Sequence, residues 1–390
     1  MNPFMCLGIA IITGIIFGKI MNKFKVPAVA GYIIAGLILG KSGFNIENGA
    51  IIDKLAFIGD FALGIIAFNI GSELEVSVIK KLGKSIFTIA TFEALGAFVL
   101  VTASMLLLHQ PISTALILGA VASATAPAAT VMVLKEYNAK GPLTSTLLGV
   151  VAVDDAICLM IYSVASSIAK VFIKHEPLTM YRVVVHPILE IILSIALGLS
   201  MGILLCYLIR ISNRKEEMLP FTIGTLLLLT GITMKFSLSP LLSAMSLGVM
   251  VANVSSNRTK AFKYIEDFSS PVIASFFILA GSRLDISLLP KLGIIGIAYF
   301  VFRILGKVTG ASFGAIVAKS PVVVKKYIGF GLFSQVGVAV GLAILVSREF
   351  ANSDLGSIVI TILLATTIIT EIIGPVFTKN AIIKAGEANL

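Results

Sequence analysis

Tryptophan is absent from this chain, cysteine and histidine occur three times each, and charged side chains supply only 13% of the residues. A soluble domain carries about 25% charged residues. Set against 57% hydrophobic residues, this shortage of charge excludes a soluble globular protein. The cysteines, Cys6, Cys158 and Cys206, are odd in number, sit inside apolar runs and show no Cys-x-x-Cys or metal-ligand spacing. That excludes a disulfide framework and a cysteine metal centre. A formal net charge of +10 would suit a nucleic-acid binder, but the lysines and arginines come in short clusters between apolar runs rather than on one face or tail. What the chain does have is apolar character along its whole length, with a mean hydropathy of +1.04. Together with Gly 34 and Phe 24, this fits an all-α polytopic bundle in contact with membrane lipid, with nothing left over for a separate soluble domain.

A spanning helix needs about 20 mostly apolar residues. Runs bounded by charge, glycine or proline predict about thirteen transmembrane helices: 3–20, 26–40, 52–71, 84–107, 111–134, 142–169, 184–209, 220–235, 237–254, 268–282, 290–318, 323–347 and 355–378. The first has the length of a signal peptide, but no basic residue precedes it and Lys19, Lys23 and Lys25 follow it, so a retained helix is expected. Cytoplasmic loops carry the excess of lysine and arginine. With the N-terminus outside, 19 of the 30 basic residues fall on the cytoplasmic side, in clusters such as Lys80-Lys81-Lys84, Lys135 with Lys140, and Lys379 with Lys384. Nine fall outside, among them Lys41, Lys174, Arg182 and Arg283, and the C-terminus is then cytoplasmic. The remaining two, Arg303 and Lys307, lie inside an apolar run.

An internal repeat bears on the architecture. Gly71-Ser72-Glu73-Leu74-Glu75-Val76-Ser77, followed by Lys81-Leu82-Gly83, returns as Gly281-Ser282-Arg283-Leu284-Asp285-Ile286-Ser287, followed by Lys291-Leu292-Gly293, at a constant offset of 210 residues. Lys135-Glu136-Tyr137 similarly answers Arg348-Glu349-Phe350 at 213. Copies separated by an odd number of helices point in opposite directions, and inverted repeats mark secondary transporters. The expectation is one integral membrane transporter domain over 1–390: a first repeat 1–170, a linker helix 184–209 and a second, inverted repeat 220–378.

An ionisable group at mid-membrane costs about 2.5–3.5 kcal/mol on insertion scales, so its presence needs a reason. Asp154 and Asp155 stand adjacent, midway along the sixth run. Helical neighbours are roughly 100° apart, so the two carboxyls cannot share a direction but can border one cavity. Burial and like charge both favour protonated carboxyls, which lets such a pair exchange protons. Arg303 and Lys307, four apart, share one helical face. Each needs a carboxylate partner, and the candidates are Asp154, Asp155, Glu93, Asp60 and Glu371. Lysine gives up its proton on burial more readily than arginine. The fifth run is interrupted at Ser123-Ala124-Thr125-Ala126-Pro127-Ala128-Ala129-Thr130, where Pro127 blocks the helical turn, and its counterpart in the twelfth is the glycine-rich Gly329 to Gly337 stretch with Gln335. Paired broken helices point to a midplane ion site built from freed carbonyls, hydroxyls and half-helix ends. Asp60 and Glu190 are read as structural.

The stretch Lys25-Val26-Pro27-Ala28-Val29-Ala30-Gly31-Tyr32-Ile33-Ile34-Ala35-Gly36-Leu37-Ile38-Leu39-Gly40, then Ile58-Gly59 through Gly71-Ser72-Glu73-Leu74, then the Asp154-Asp155 pair, resembles the monovalent cation/proton antiporter superfamily, in its second (CPA2) branch. The resemblance runs to Thr370-Glu371-Ile372-Ile373-Gly374-Pro375. It implies a thirteen-helix inverted repeat with crossed, broken helices 5 and 12, a mobile core working by elevator-type alternating access, a homodimer in the plasma membrane, and no cofactor beyond transported Na+ and H+. It also implies that the second aspartate, Asp155, is the main cation and proton site and that Asp154 pairs with a lysine matched here by Lys307. Two departures are visible. Relatives often carry an acid or hydroxyl at the position of Ala126, which shifts the expected ligands to Ser123, Thr125, Thr130 and backbone carbonyls. Arg303, one turn before the lysine, leaves open which cation neutralises which acid.

The leading expectation is a sodium/proton antiporter, electrogenic because two carboxyls exchange more protons than sodium charges, and not an enzyme. Potassium/proton exchange is the alternative. The 12 residues after the last run leave no room for the nucleotide-binding domain of some potassium relatives. An intramembrane aspartyl protease would need aspartates on two helices, one in a Gly-x-Gly-Asp turn that the sequence lacks. An ion channel would need a continuous pore, against which the inverted repeat argues.

Overall fold

The structure is a computed structural model that describes residues 2–23, 28–40, 42–44, 54–173, 185–212, 214–282, 293–350 and 354–388. Outside these lie Lys25 to Pro27, Lys41, Lys174, Arg182, and Arg283 to Lys291 and Leu292 of the second repeat copy. Among the described residues the secondary structure is helical throughout, in fifteen α-helices and one 3₁₀ turn. In chain order these are α1 (Pro3–Lys23), α2 (Ala28–Leu39), α3 (Ala56–Glu73), α4 (Val76–Leu107), α5 (Ile112–Ala122), α6 (Pro127–Glu136), α7 (Pro142–Ile173), α8 (His186–Ile211), α9 (Lys215–Lys235), α10 (Pro240–Val254), α11 (Arg258–Ser282), α12 (Gly293–Val317), α13 (Val322–Tyr327), the 3₁₀ turn Ile328–Gly331, α14 (Val338–Glu349) and α15 (Leu355–Lys384).

Every apolar run read from the sequence contains helix, and the differences have physical causes. The run 268–282 is the second half of α11, which starts ten residues earlier at Arg258, and the last helix continues to Lys384. Hydropathy stops a run at the first charges, whereas a helix carries on past the apolar layer, its backbone hydrogen bonds indifferent to the side chains. Seven helical stretches among the described residues are long and apolar enough to cross a membrane, in α1, α4, α7, α8, α9, α12 and α15. α4 kinks at Gly83 (φ 76), one residue before the sequence run begins. The two runs expected to be interrupted are interrupted. One divides into α5 and α6 around residues 123–126, the other into α13, the 3₁₀ turn and α14 around 332–337.

Two compact units are distinguished. One comprises residues 1–55, 82–158 and 277–390, and it contains both interruptions. The other comprises 56–81 and 159–276. In this second unit α10 packs on α3 and α8, and a polar seam joins Ser239 and Ser243 to Ser194, with Ser167 donating to buried Glu190 at 2.8 Å.

In the first unit the decisive packing is that of α4 on α12. A Cβ added at Gly96 would lie 2.6 Å from the Gly306 carbonyl oxygen and 2.9 Å from Gly310 Cα, and one at Gly306 would lie 2.7 Å from Ala97 Cα. Small residues spaced by four let membrane helices approach backbone to backbone. Because Glu93 is one turn before Gly96, and Lys307 follows Gly306, this crossing delivers an acid and a base to one point.

Candidate functional site

Lys307 Nζ is fully buried and meets four oxygens: Glu93 Oε1 in close contact, the Ser123 carbonyl and Thr125 Oγ1 at 2.6 Å each, and Asp154 Oδ2 at 3.6 Å. Thr125 Oγ1 in turn donates to Glu93 Oε1 at 3.4 Å. The nearest carboxylate to the lysine is therefore Glu93, and the pairing with Asp154 implied by family resemblance is the longer, secondary contact. The cause is the glycine-lined crossing of α4 and α12, which brings Glu93 in from a helix that the aspartate pairing leaves out of account.

Arg303 makes three hydrogen bonds to backbone carbonyls: Nη1 donates to Phe333 at 2.7 Å, and Nη2 to Ala124 at 2.9 Å and Ser334 at 3.3 Å. All three acceptors lie in the two interruptions, where carbonyls have lost the partners a continuous helix would give them. The sequence reading assigned Arg303 a carboxylate; its hydrogen bonds go to freed carbonyls instead. A guanidinium presents several donors in a rigid fork, which suits it to tie two chain segments at once.

The interruptions also bond to each other and to their surroundings. Ala126 N donates to the Ser334 carbonyl at 2.9 Å, Thr130 Oγ1 to the Gly331 carbonyl at 2.7 Å, and Gln335 Nε2 to the Val121 carbonyl at 3.0 Å and to Tyr299 Oη at 2.7 Å. Gln335 N donates to Glu371 Oε1 at 3.2 Å, and Thr367 Oγ1 to the Gln335 carbonyl at 2.8 Å. Ser123 Oγ turns back onto the Ala120 carbonyl at 2.6 Å. α6 begins at Pro127, the helical position where a missing N–H costs nothing.

The residues singled out in the sequence thus converge in one unit: Glu93, Ser123, Thr125, Thr130, Asp154, Asp155, Arg303, Lys307, Gln335 and Glu371 are all buried there. Asp60 belongs to the other unit. The hydroxyls and freed carbonyls expected to serve as ion ligands are largely taken up by Lys307, Arg303 and neighbouring backbone. Oxygens with no hydrogen-bond partner among the described residues include both of Asp154, Oε2 of Glu93, Oε2 of Glu371 and the amide oxygen of Gln335. The acids, more than the hydroxyls, are the groups able to receive a cation or a proton. Sequence reasoning passed over Tyr299, which is four residues before Arg303 and eight before Lys307 and so shares their helical face. It also passed over Gly306-x-x-x-Gly310, the signal for the α4 crossing.

Comparisons with known proteins bear on the family and the fold. The sequence model of the family described as "Sodium/hydrogen exchanger, transmembrane" matches residues 7–379. The chain is 26% identical over 288 residues to the iron transporter MagA of Paramagnetospirillum magneticum, a match spanning 73% of this chain and 64% of that protein. It is 22% identical over 373 residues to a Na(+)/H(+) antiporter of Enterococcus hirae, covering 93% of this chain and 94% of that one. Its fold is similar to that of the sodium proton antiporter MjNhaP1 from Methanocaldococcus jannaschii at pH 8, with a TM-score of 0.78, 19% identity and 98% of both chains covered.

Proposed function

The chain belongs to the sodium/hydrogen exchanger family, the monovalent cation/proton antiporters, and from that premise we propose that it is a secondary active sodium/proton antiporter exchanging Na+ (or Li+) for H+ at Asp154 and Asp155. One observation carries the reading: besides Glu387 near the end of the chain, one unit buries the four acids Glu93, Asp154, Asp155 and Glu371 and the two bases Arg303 and Lys307. With all six ionised the site would hold two negative charges in excess, more than a buried site sustains without partners. Protons or a cation from outside must join it.

Glu93 and Lys307 neutralise each other, and Arg303 holds the carbonyls of the interruptions, so the aspartates carry the exchangeable charge. Two protons on Asp154 and Asp155 remove the excess, whereas one Na+ between them leaves one negative charge. The two loaded forms then differ by one charge, and exchange is electrogenic. Alternating access moves the loaded unit between the two sides of the membrane. The same proposal includes thirteen crossings in an inverted repeat of 1–170 and 220–378, an outside N-terminus, a cytoplasmic C-terminus, the plasma membrane and a homodimer.

The test is exchange in proteoliposomes loaded in turn with sodium, lithium and potassium under an imposed pH gradient. Proton movement coupled to sodium or lithium supports the proposal. Coupling to potassium alone replaces it with potassium/proton exchange, and coupling to none of them refutes it.

A further inference from the structure

Beyond Lys384, at the end of α15, the chain turns back on itself and lays Glu387 against the start of α7. Glu387 Oε1 accepts from Leu143 N at 2.7 Å, and Oε2 accepts from Thr144 N at 2.7 Å and Thr144 Oγ1 at 2.8 Å. In the reverse direction Lys140 N donates to the Glu387 carbonyl at 3.0 Å. The side chain is buried. The first N–H groups of a helix have no intrahelical acceptor, and a carboxylate there satisfies them while complementing the positive end of the helix dipole. Most such caps come from the residue just before the helix. This one comes from 243 and 244 residues away.

The residue just before α7 fits the arrangement. A Cβ on Gly141 would collide with the Glu387 carboxyl group and its neighbouring carbon, so the side chain missing at 141 is the space that Glu387 uses. The clasp joins two helices that both supply acids to the buried cluster: α7 carries Asp154 and Asp155, and α15 carries Glu371. Asp154 lies 11 residues beyond Leu143, about 16 Å along a rigid helix at 1.5 Å per residue. A slide of α7 at its capped end is therefore transmitted to the aspartates, and binding groups need placement to within about 0.5 Å.

We propose that Glu387 is a positioning residue for the cation site, its carboxylate fixing the axial position of α7 relative to α15 and so where Asp154 and Asp155 stand relative to Glu371. The proposal rests on the antiporter reading. It is tested on the full chain in proteoliposomes by comparing the parent with Glu387→Ala, Glu387→Gln and Gly141→Ala, each normalised to folded protein. Glu387→Ala raises the apparent sodium KM by about fivefold to tenfold, the factor a lost charged cap allows, with kcat little changed. Gly141→Ala, which displaces the carboxylate without removing it and also strains the backbone at φ 158, moves KM in the same direction. Glu387→Gln keeps the length and one acceptor oxygen and falls between. A cap that serves folding alone would lower melting temperature or yield and leave KM where it was, and that result in the Gln and Gly141→Ala variants overturns the proposal even if Glu387→Ala fails to fold. A parent that exchanges no cation refutes the antiporter reading instead. The clasp is then judged by thiol labelling of Cys158, one turn beyond Asp154, in a chain with Cys6 and Cys206 changed to serine. Faster labelling in both Gly141→Ala and Glu387→Gln, at a temperature where both remain folded, supports the positioning role, and unchanged labelling in both refutes it.

Discussion

Replacing Glu93 by glutamine tests whether Lys307 depends on the acid of α4 or on the aspartate of α7. The lysine has Glu93 in close contact and Asp154 at 3.6 Å, and all three side chains are fully buried. Removing one partner of a buried ion pair costs about 3–5 kcal/mol, because the remaining charge is left uncompensated. Glutamine keeps an acceptor oxygen, Ser123 and Thr125 still accept from the ammonium, and Asp154 remains near, so about 2–3 kcal/mol is the expected loss. At about 2.1 cal/mol/K of unfolding entropy per residue over 390 residues, each kcal/mol shifts the transition by roughly 1.2 °C, and Glu93→Gln melts about 2–4 °C below the parent. Asp154→Asn removes only the longer contact and melts by about half that difference below the parent. The assay is thermal unfolding in detergent with a thiol-reactive fluorophore, since Cys6 and Cys158 are buried in the folded chain and the sequence has no tryptophan to report on it. A double variant, Glu93→Gln with Lys307→Gln, loses both charges together and is expected to melt above Glu93→Gln alone. If Asp154→Asn is the more damaging single change, or the double variant melts below Glu93→Gln, the lysine is neutralised chiefly by Asp154 and the assignment fails.

Three further outcomes follow from the same geometry. Arg303→Gln removes three charge-assisted bonds to the interruptions and should lower the melting temperature at least as much as Glu93→Gln; sodium uptake driven by a potassium-valinomycin voltage should keep its voltage dependence in the protein that folds. Lys307→Gln, in the same uptake assay, should leave only weak sodium exchange, because Glu93 then loses the partner that neutralises it. Gly306→Val places a branched side chain where Gly96 and Ala97 backbone already stand, so it should cost more than the about 1–3 kcal/mol of ordinary overpacking, read as loss of monodisperse protein on size-exclusion chromatography.

The apolar runs, the two interruptions and the cluster of buried charge were all legible in the sequence, because each is a local property: hydropathy, a proline or glycine cluster, an acid or base where lipid forbids one. Pairing was not. Glu93 and Lys307 are 214 residues apart, and what joins them is a crossing of small residues whose partner helix no local pattern names. Arg303 was assigned a carboxylate by charge alone, whereas interrupted helices create acceptors that compete for it, and a sequence does not say which carbonyls a break sets free. Glu387 carried no signal at all, since a cap supplied from 243 residues away resembles any glutamate near a terminus.

The central claim is that Asp154 and Asp155 carry two protons in one direction against one sodium ion in the other. The most direct test is sodium uptake into proteoliposomes with no pH gradient, driven by a potassium-valinomycin voltage, comparing the parent chain with Asp155→Asn. The account predicts voltage-driven uptake by the parent and none by the variant, because an amide neither releases a proton nor balances a bare ion in a dry site. Uptake by the parent that ignores the voltage, or near-normal exchange by Asp155→Asn, would contradict it.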